Sequence, residues 1–157
     1  MPNVEASTLI RRPPAGVFTA FVDPAITTRF WFTRSSGPLA PGATVRWEWE
    51  MYGVTDTVLV KEFEAPERFV LTTGGGDGLT VEFRFTPREE GTVVTITESG
   101  FTGSLDDPGF SGTGDDVIEY IAGSTGGYTT VLCAAKALLE HGIELGAVRD
   151  KHPDNWV

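Results

Sequence analysis

The chain is poor in the residues on which metal and redox chemistry depend: it has one cysteine, Cys133, and two histidines, His141 and His152, in 157 residues. A single cysteine excludes an internal disulfide framework and any Cys-x-x-Cys metal or redox signature, and no metal site or cofactor is expected. Positive charge is scarce as well, with 12 Lys and Arg against 22 Asp and Glu and a formal net charge of −10. Phosphate backbones need a basic patch, so this balance argues against nucleic acid and, for the same reason, against anionic membrane surfaces. No apolar run approaches the roughly 18 residues of a membrane span, so no membrane insertion is expected. The segment Met1-Pro2-Asn3-Val4-Glu5 lacks the basic and apolar regions of a signal peptide, which makes the cytoplasm the expected location. Nor is there a repeat or low-complexity linker, and residues 1–157 are expected to fold as one domain.

What is present is aromatic and periodic. Ten Phe, four Trp and three Tyr supply the means for a real core. Residues 4–11 alternate as a first strand, and Pro13-Pro14 ends it and opens a short helix carrying Val17, Phe18, Phe21 and Val22. Asp23-Pro24 caps a second short helix over 25–30, which leads into Trp31-Phe32. Five strand-like segments follow, over residues 43–51, 54–63, 68–73, 79–85 and 92–99, each bounded by turn residues. In the first of them Val45, Trp47, Trp49 and Met51 share one face, while Arg46, Glu48 and Glu50 take the other. Leu79, Val81, Phe83 and Phe85 repeat the pattern. Short successive strands joined by tight turns give an antiparallel meander of about six strands.

After a Gly/Asp/Ser-rich stretch at 103–114 the period changes. Ile118, Ile121, Thr125, Tyr128, Leu132, Ala135 and Leu139 step by three and four along one helical stripe. Gly123, Gly126 and Gly127 predict a break or kink in that helix, with the firm part over 127–141, Gly142 as its C-cap, and a loosely packed polar tail from Asp150. An antiparallel sheet with helices on one face is an α+β fold, and this stripe is the only large cover for the aromatic face of the sheet.

Three stretches carry a resemblance to a known superfamily. They are Arg12-Pro13-Pro14-Ala15-Gly16-Val17-Phe18 through Asp23-Pro24 with Phe30-Trp31, then Gly91-Thr92-Val93-Val94-Thr95-Ile96-Thr97-Glu98-Ser99-Gly100-Phe101, and Gly126-Gly127-Tyr128-Thr129-Thr130-Val131-Leu132. In order and spacing the chain resembles the START/SRPBCC superfamily, and within it the activator-of-heat-shock-ATPase homologues. The resemblance implies a helix-grip fold, a curved sheet wrapped around a long C-terminal helix with a cavity between them. Members of the superfamily include lipid carriers, hormone receptors, cyclases and co-chaperone-like domains, so it implies a pocket and not one reaction.

The candidate site follows from which residues face that space. Trp47, Trp49, Met51, Phe83 and Phe85 are either packed core or the wall of a pocket, and as a set they suit a wall, because ligand cavities are largely apolar and aromatic. Leu132 and Tyr128 lie on the facing stripe, where the Tyr128 hydroxyl would reach either a ligand or backbone. Glu98 follows Val94 and Ile96 at alternate positions, so its carboxylate points inward unless the strand end exposes it. A buried carboxylate must pair or take up a proton, which suits it to anchor a ligand or act as acid or base. Cys133, beside the stripe, is expected to be a small buried hydrophobe. Other motifs are absent: there is no Gly-x-Ser-x-Gly nucleophile, residues 74–78 lack the Lys-Ser/Thr of a phosphate loop, and Asp106-Asp107 and Asp115-Asp116 fit no calcium loop. The function expected is binding of a small hydrophobic molecule. A cyclase or hydrolase acting in the same cavity and a module regulating a chaperone ATPase stand as alternatives, and a homodimer is left open.

Overall fold

The structure, a computed structural model, describes residues 3–100 and 114–157, with side chains from residue 118 onward in the second segment. Seven strands form one antiparallel sheet in the order β1-β7-β6-β5-β4-β3-β2. They are β1 (Val4–Ile10), β2 (Arg34–Ser35), β3 (Thr44–Trp49), β4 (Val54–Glu64), β5 (Arg68–Thr72), β6 (Thr80–Arg88) and β7 (Gly91–Ser99). Two short helices, α1 (Pro14–Val22) and α2 (Pro24–Thr27), follow β1, and α3 (Gly114–His141) and α4 (Ala147–Asp150) follow the sheet. This is the expected α+β helix-grip arrangement, with a seventh strand added. β2 is only two residues long and pairs with β3 through Arg34 and Ser35, too short to show any alternation in sequence.

Local chemistry explains most boundaries. Pro14 opens α1 where a missing N–H costs nothing, and the Asp23 carboxylate accepts the Ala25 N–H to cap α2. β7 alternates without a fault, with Thr92, Val94, Ile96 and Glu98 buried and their neighbours partly exposed. Gly91 is obligatory at the β6–β7 turn: at φ +150°, a Cβ there would lie 2.3 Å from the Ile10 carbonyl oxygen.

Five expectations are corrected. Met51 does not continue β3. Residues Glu50–Tyr52 form a turn of 3-10 helix and Gly53 closes it at φ +62°, so that β3 can reverse into β4 with Trp49 opposite Val54. The helix α3 runs through Gly123, Gly126 and Gly127 as 28 continuous residues. Glycine lowers helix propensity by about 1 kcal/mol, which a helix tied to the sheet on both sides of the glycines absorbs. Cys133 is exposed rather than buried, because Leu132, Ala134 and Ala135 take the inward positions around it, and Ile118 is 68% exposed although it fits the stripe. Lastly, the tail is anchored. The Tyr52 hydroxyl donates to the Val148 carbonyl and, at 2.7 Å, to that of Arg149, Trp156 Nε1 donates to the Arg149 carbonyl, and Val157 N–H donates to that of Met51. Among the described residues no helix is long and apolar enough to cross a membrane. The 103–113 stretch, with Asp106 and Asp107, lies outside the described residues.

The core is filled unevenly, and this positions the site. Under α1, Phe18 packs edge-on against Phe69, Phe85 and Phe63, and Phe21 edge-on against Phe30 and Phe85 and tilted against Phe83. Each such aromatic pair adds about 0.5–1.5 kcal/mol beyond its buried area. Towards Glu98 and the N-terminal half of α3 a cavity remains among the described residues.

Candidate functional site

Glu98 is the centre of the unfilled end. Its backbone lies between Val4 of β1 and Val81 of β6, and only 3% of the residue is exposed. Neither valine side chain can satisfy a carboxylate, so its partners come from the facing helix. Tyr120 Oη donates to Oε1 at 2.8 Å, Ser124 Oγ to Oε1 at 3.1 Å, and Tyr128 Oη to Oε2 at 2.9 Å. These three hydroxyls recur every fourth residue, which stacks them on one face of α3. Burial first, then the charge of Glu98, hold the Tyr128 and Tyr120 hydroxyls well above their ordinary pKa, so both stay protonated and remain donors.

Around this cluster is a cavity of about 790 Å³ between the sheet and α3. One wall is aromatic: Trp31, four residues beyond α2, lies 4.9 Å from the Trp47 ring and 6.3 Å from that of Trp49, with Phe83 at 5.8 Å and Tyr128 at 6.4 Å. Val54, Thr55 and Asp56 of β4 border a second side, and Gly123, Gly127, Thr130 and Val131 present the helix surface. Val148, Lys151, His152 and Asn155 of the anchored tail complete the boundary, with Lys151 and His152 exposed to solvent.

Residues 11–115 match the family described as Activator of Hsp90 ATPase homolog 1-like protein. The chain belongs to this family. Among proteins with curated descriptions, none matches it. Solved structures similar to it include SSP2350 from Staphylococcus saprophyticus, 26% identical, with a TM-score of 0.76 over 92% of this chain and 96% of that one. The Aha1 dimer from Colwellia psychrerythraea is 18% identical, with a TM-score of 0.72 over 90% of this chain and 98% of that one. DynU16, from the dynemicin biosynthetic locus, is 22% identical with a TM-score of 0.72 over 90% of this chain, which spans 48% of DynU16.

Within this Activator of Hsp90 ATPase homolog 1-like chain the sequence candidates divide. Trp47, Trp49, Phe83, Glu98 and Tyr128 border the cavity together. Phe85 lies in the filled end, 5.1 Å from the Phe18 ring, and Leu132 is buried in the core while its neighbour Val131 faces the cavity. Met51 contributes its carbonyl to the tail anchor and not a side chain to the wall. Missing from the candidates were Tyr120 and Ser124, whose spacing of eight and four from Tyr128 is the signal that would have found them. Trp31 stood in the sequence motif without being assigned to the wall. The tail residues carry no such signal, since the Tyr52 and Met51 anchors and the packing of Ala147 and Val148 against the core bring them to the mouth. Among the described residues no three His, Cys, Asp or Glu side chains come together as a metal site.

Proposed function

We propose that this chain, working as a single cytoplasmic domain, binds a small and largely apolar molecule in the cavity between sheet and α3. The ligand body lies against the tryptophan wall and its polar end meets Glu98 and the hydroxyls around it. The observation that carries this reading is the Glu98 carboxylate, buried from bulk water yet bordering a cavity of about 790 Å³. A purely structural core avoids such a group, whereas ligand cavities of roughly 300–1,000 Å³ commonly combine apolar walls with a few placed polar atoms. Titration with a lipophilic fluorescent probe, followed by the emission of Trp31, Trp47 and Trp49, tests it. Saturable quenching reversed by hydrophobic competitors is expected, and the absence of any response across a varied panel overturns the reading.

A second reading uses the same cluster for cyclase- or hydrolase-type chemistry, with Glu98 as acid or base. It draws on Glu98 being the carboxylate deepest in the cavity, and turnover retained in Glu98→Gln removes it. Regulation of a chaperone ATPase, which the family description names, requires binding through the outer surface. Co-purification with the chaperone that survives filling of the cavity would favour it. The dimer described for the Colwellia relative prompts sedimentation analysis of this chain for a homodimer.

A further inference from the structure

We propose that the head group taken by this cavity is a protonated amine, which donates to an acceptor site that the protein leaves unfilled on Glu98 Oε2; the inference rests on the ligand-binding reading above. A carboxylate offers about four lone-pair sites. Tyr120 and Ser124 occupy Oε1, and Tyr128 alone donates to Oε2, so one site on Oε2 has no donor among the described residues. Val4 and Val81, its register neighbours on both sides, offer side chains without polar atoms.

The charge matters as much as the vacancy. All three donors are neutral hydroxyls, and none of the ion pairs among the described residues includes Glu98. Among the described residues the carboxylate is therefore solvated by dipoles and has no countercharge. Asp56, on the cavity border, adds a second carboxylate, whose Oδ1 accepts the Gly74 N–H at 3.0 Å. Lys151 and His152, on the border, are exposed to water at the mouth. An ammonium group is favoured here twice over: it brings a countercharge to the Glu98 carboxylate, and the faces of Trp31 and Trp49 attract a cation. A hydroxyl head donates to the carboxylate without supplying a countercharge, and a carboxylate head meets repulsion from Glu98 and Asp56.

Three probes with one apolar body separate these cases: naphthylethylamine, naphthylethanol and naphthylpropanoate, each titrated calorimetrically at neutral pH. The amine is expected to bind about tenfold more tightly than the alcohol, with the carboxylate weakest. In Glu98→Gln the amine and alcohol are expected to come within about threefold of each other. Equal binding of amine and alcohol to the wild-type chain, or an amine preference that survives Glu98→Gln, overturns the proposal and leaves the ligand-binding reading in place. Failure of all three probes to bind overturns both. Should the variant not fold, the wild-type ranking decides alone.

Discussion

Tyr128 Oη lies 2.9 Å from Glu98 Oε2 and joins α3 to β7 across 30 residues of sequence. This bond closes the grip at the end where the core is open, and it fixes the position of the carboxylate that borders the cavity. Its removal has a defined consequence. Tyr128→Phe is expected to lower stability by about 1.5–3 kcal/mol, the range for losing a hydrogen bond to a buried charged group. Urea denaturation measures the loss. Hydrogen exchange should quicken around residues 120–128 and stay slow around 131–138, where Val131, Leu132, Ala135 and Leu138 remain buried.

The two tyrosines set an alkaline limit. Their folded pKa values lie above the ordinary 10.0 because of burial and the charge of Glu98. A raised pKa means the folded state holds the proton more tightly. The stabilisation is thus complete below about pH 10 and is lost as pH rises through the folded values. Denaturation midpoints measured upward from neutral pH should fall above about pH 10. The Tyr120→Phe/Tyr128→Phe double variant should show a shallower fall over that range, from a lower starting stability.

The uninterrupted course of α3 is testable at Gly123. A Cβ there meets nothing within 4 Å, and the residue lies inside the helix. Gly123→Ala is expected to raise stability by about 0.5–1 kcal/mol, through helix propensity and a less disordered unfolded chain. A break at this position would remove the gain, so thermal melting of the one variant separates the two cases.

Tyr52 is the anchor of the tail. Tyr52→Phe deletes the donor to the Val148 and Arg149 carbonyls while keeping the ring beside His152. About 1 kcal/mol of stability should be lost, together with faster proteolysis within residues 147–157. Because Lys151 and His152 border the cavity mouth, a bound fluorescent probe should also leave faster, as stopped-flow displacement would show.

Most of the fold is legible in the chain. The alternation of Val45 and Trp47, of Val81, Phe83 and Phe85, and of Thr92 through Glu98 reports which face of each strand is buried, because the side-chain period of a strand is two. Gly142 marks the end of α3 at φ +68°, with its N–H donating to the Leu138 carbonyl. The same reasoning places Glu98 inward and Tyr128 on the facing helix, and both border the cavity. It fails where period alone does not decide. Met51 fits the β3 pattern yet lies in the turn, because the reversal into β4 needs residues 50–53. Gly123, Gly126 and Gly127 lower local helix propensity, but hydroxyl bonds from α3 to Glu98 and the packing that follows outweigh it.

Sequence by itself determined the periodicities and the proline and glycine boundaries, and left Glu98 either inward or exposed at the strand end, since these depend on local backbone geometry and on which residues can tolerate water. Only the tertiary structure decided that Tyr120, Ser124 and Tyr128 converge on that carboxylate, that Phe85 is sealed under Phe18 while Trp47 borders open space, and that the tail closes the mouth. Those outcomes depend on distances between elements far apart in the chain. Such distances follow from how much volume α1 and α3 fill against a curved sheet, which no local pattern records.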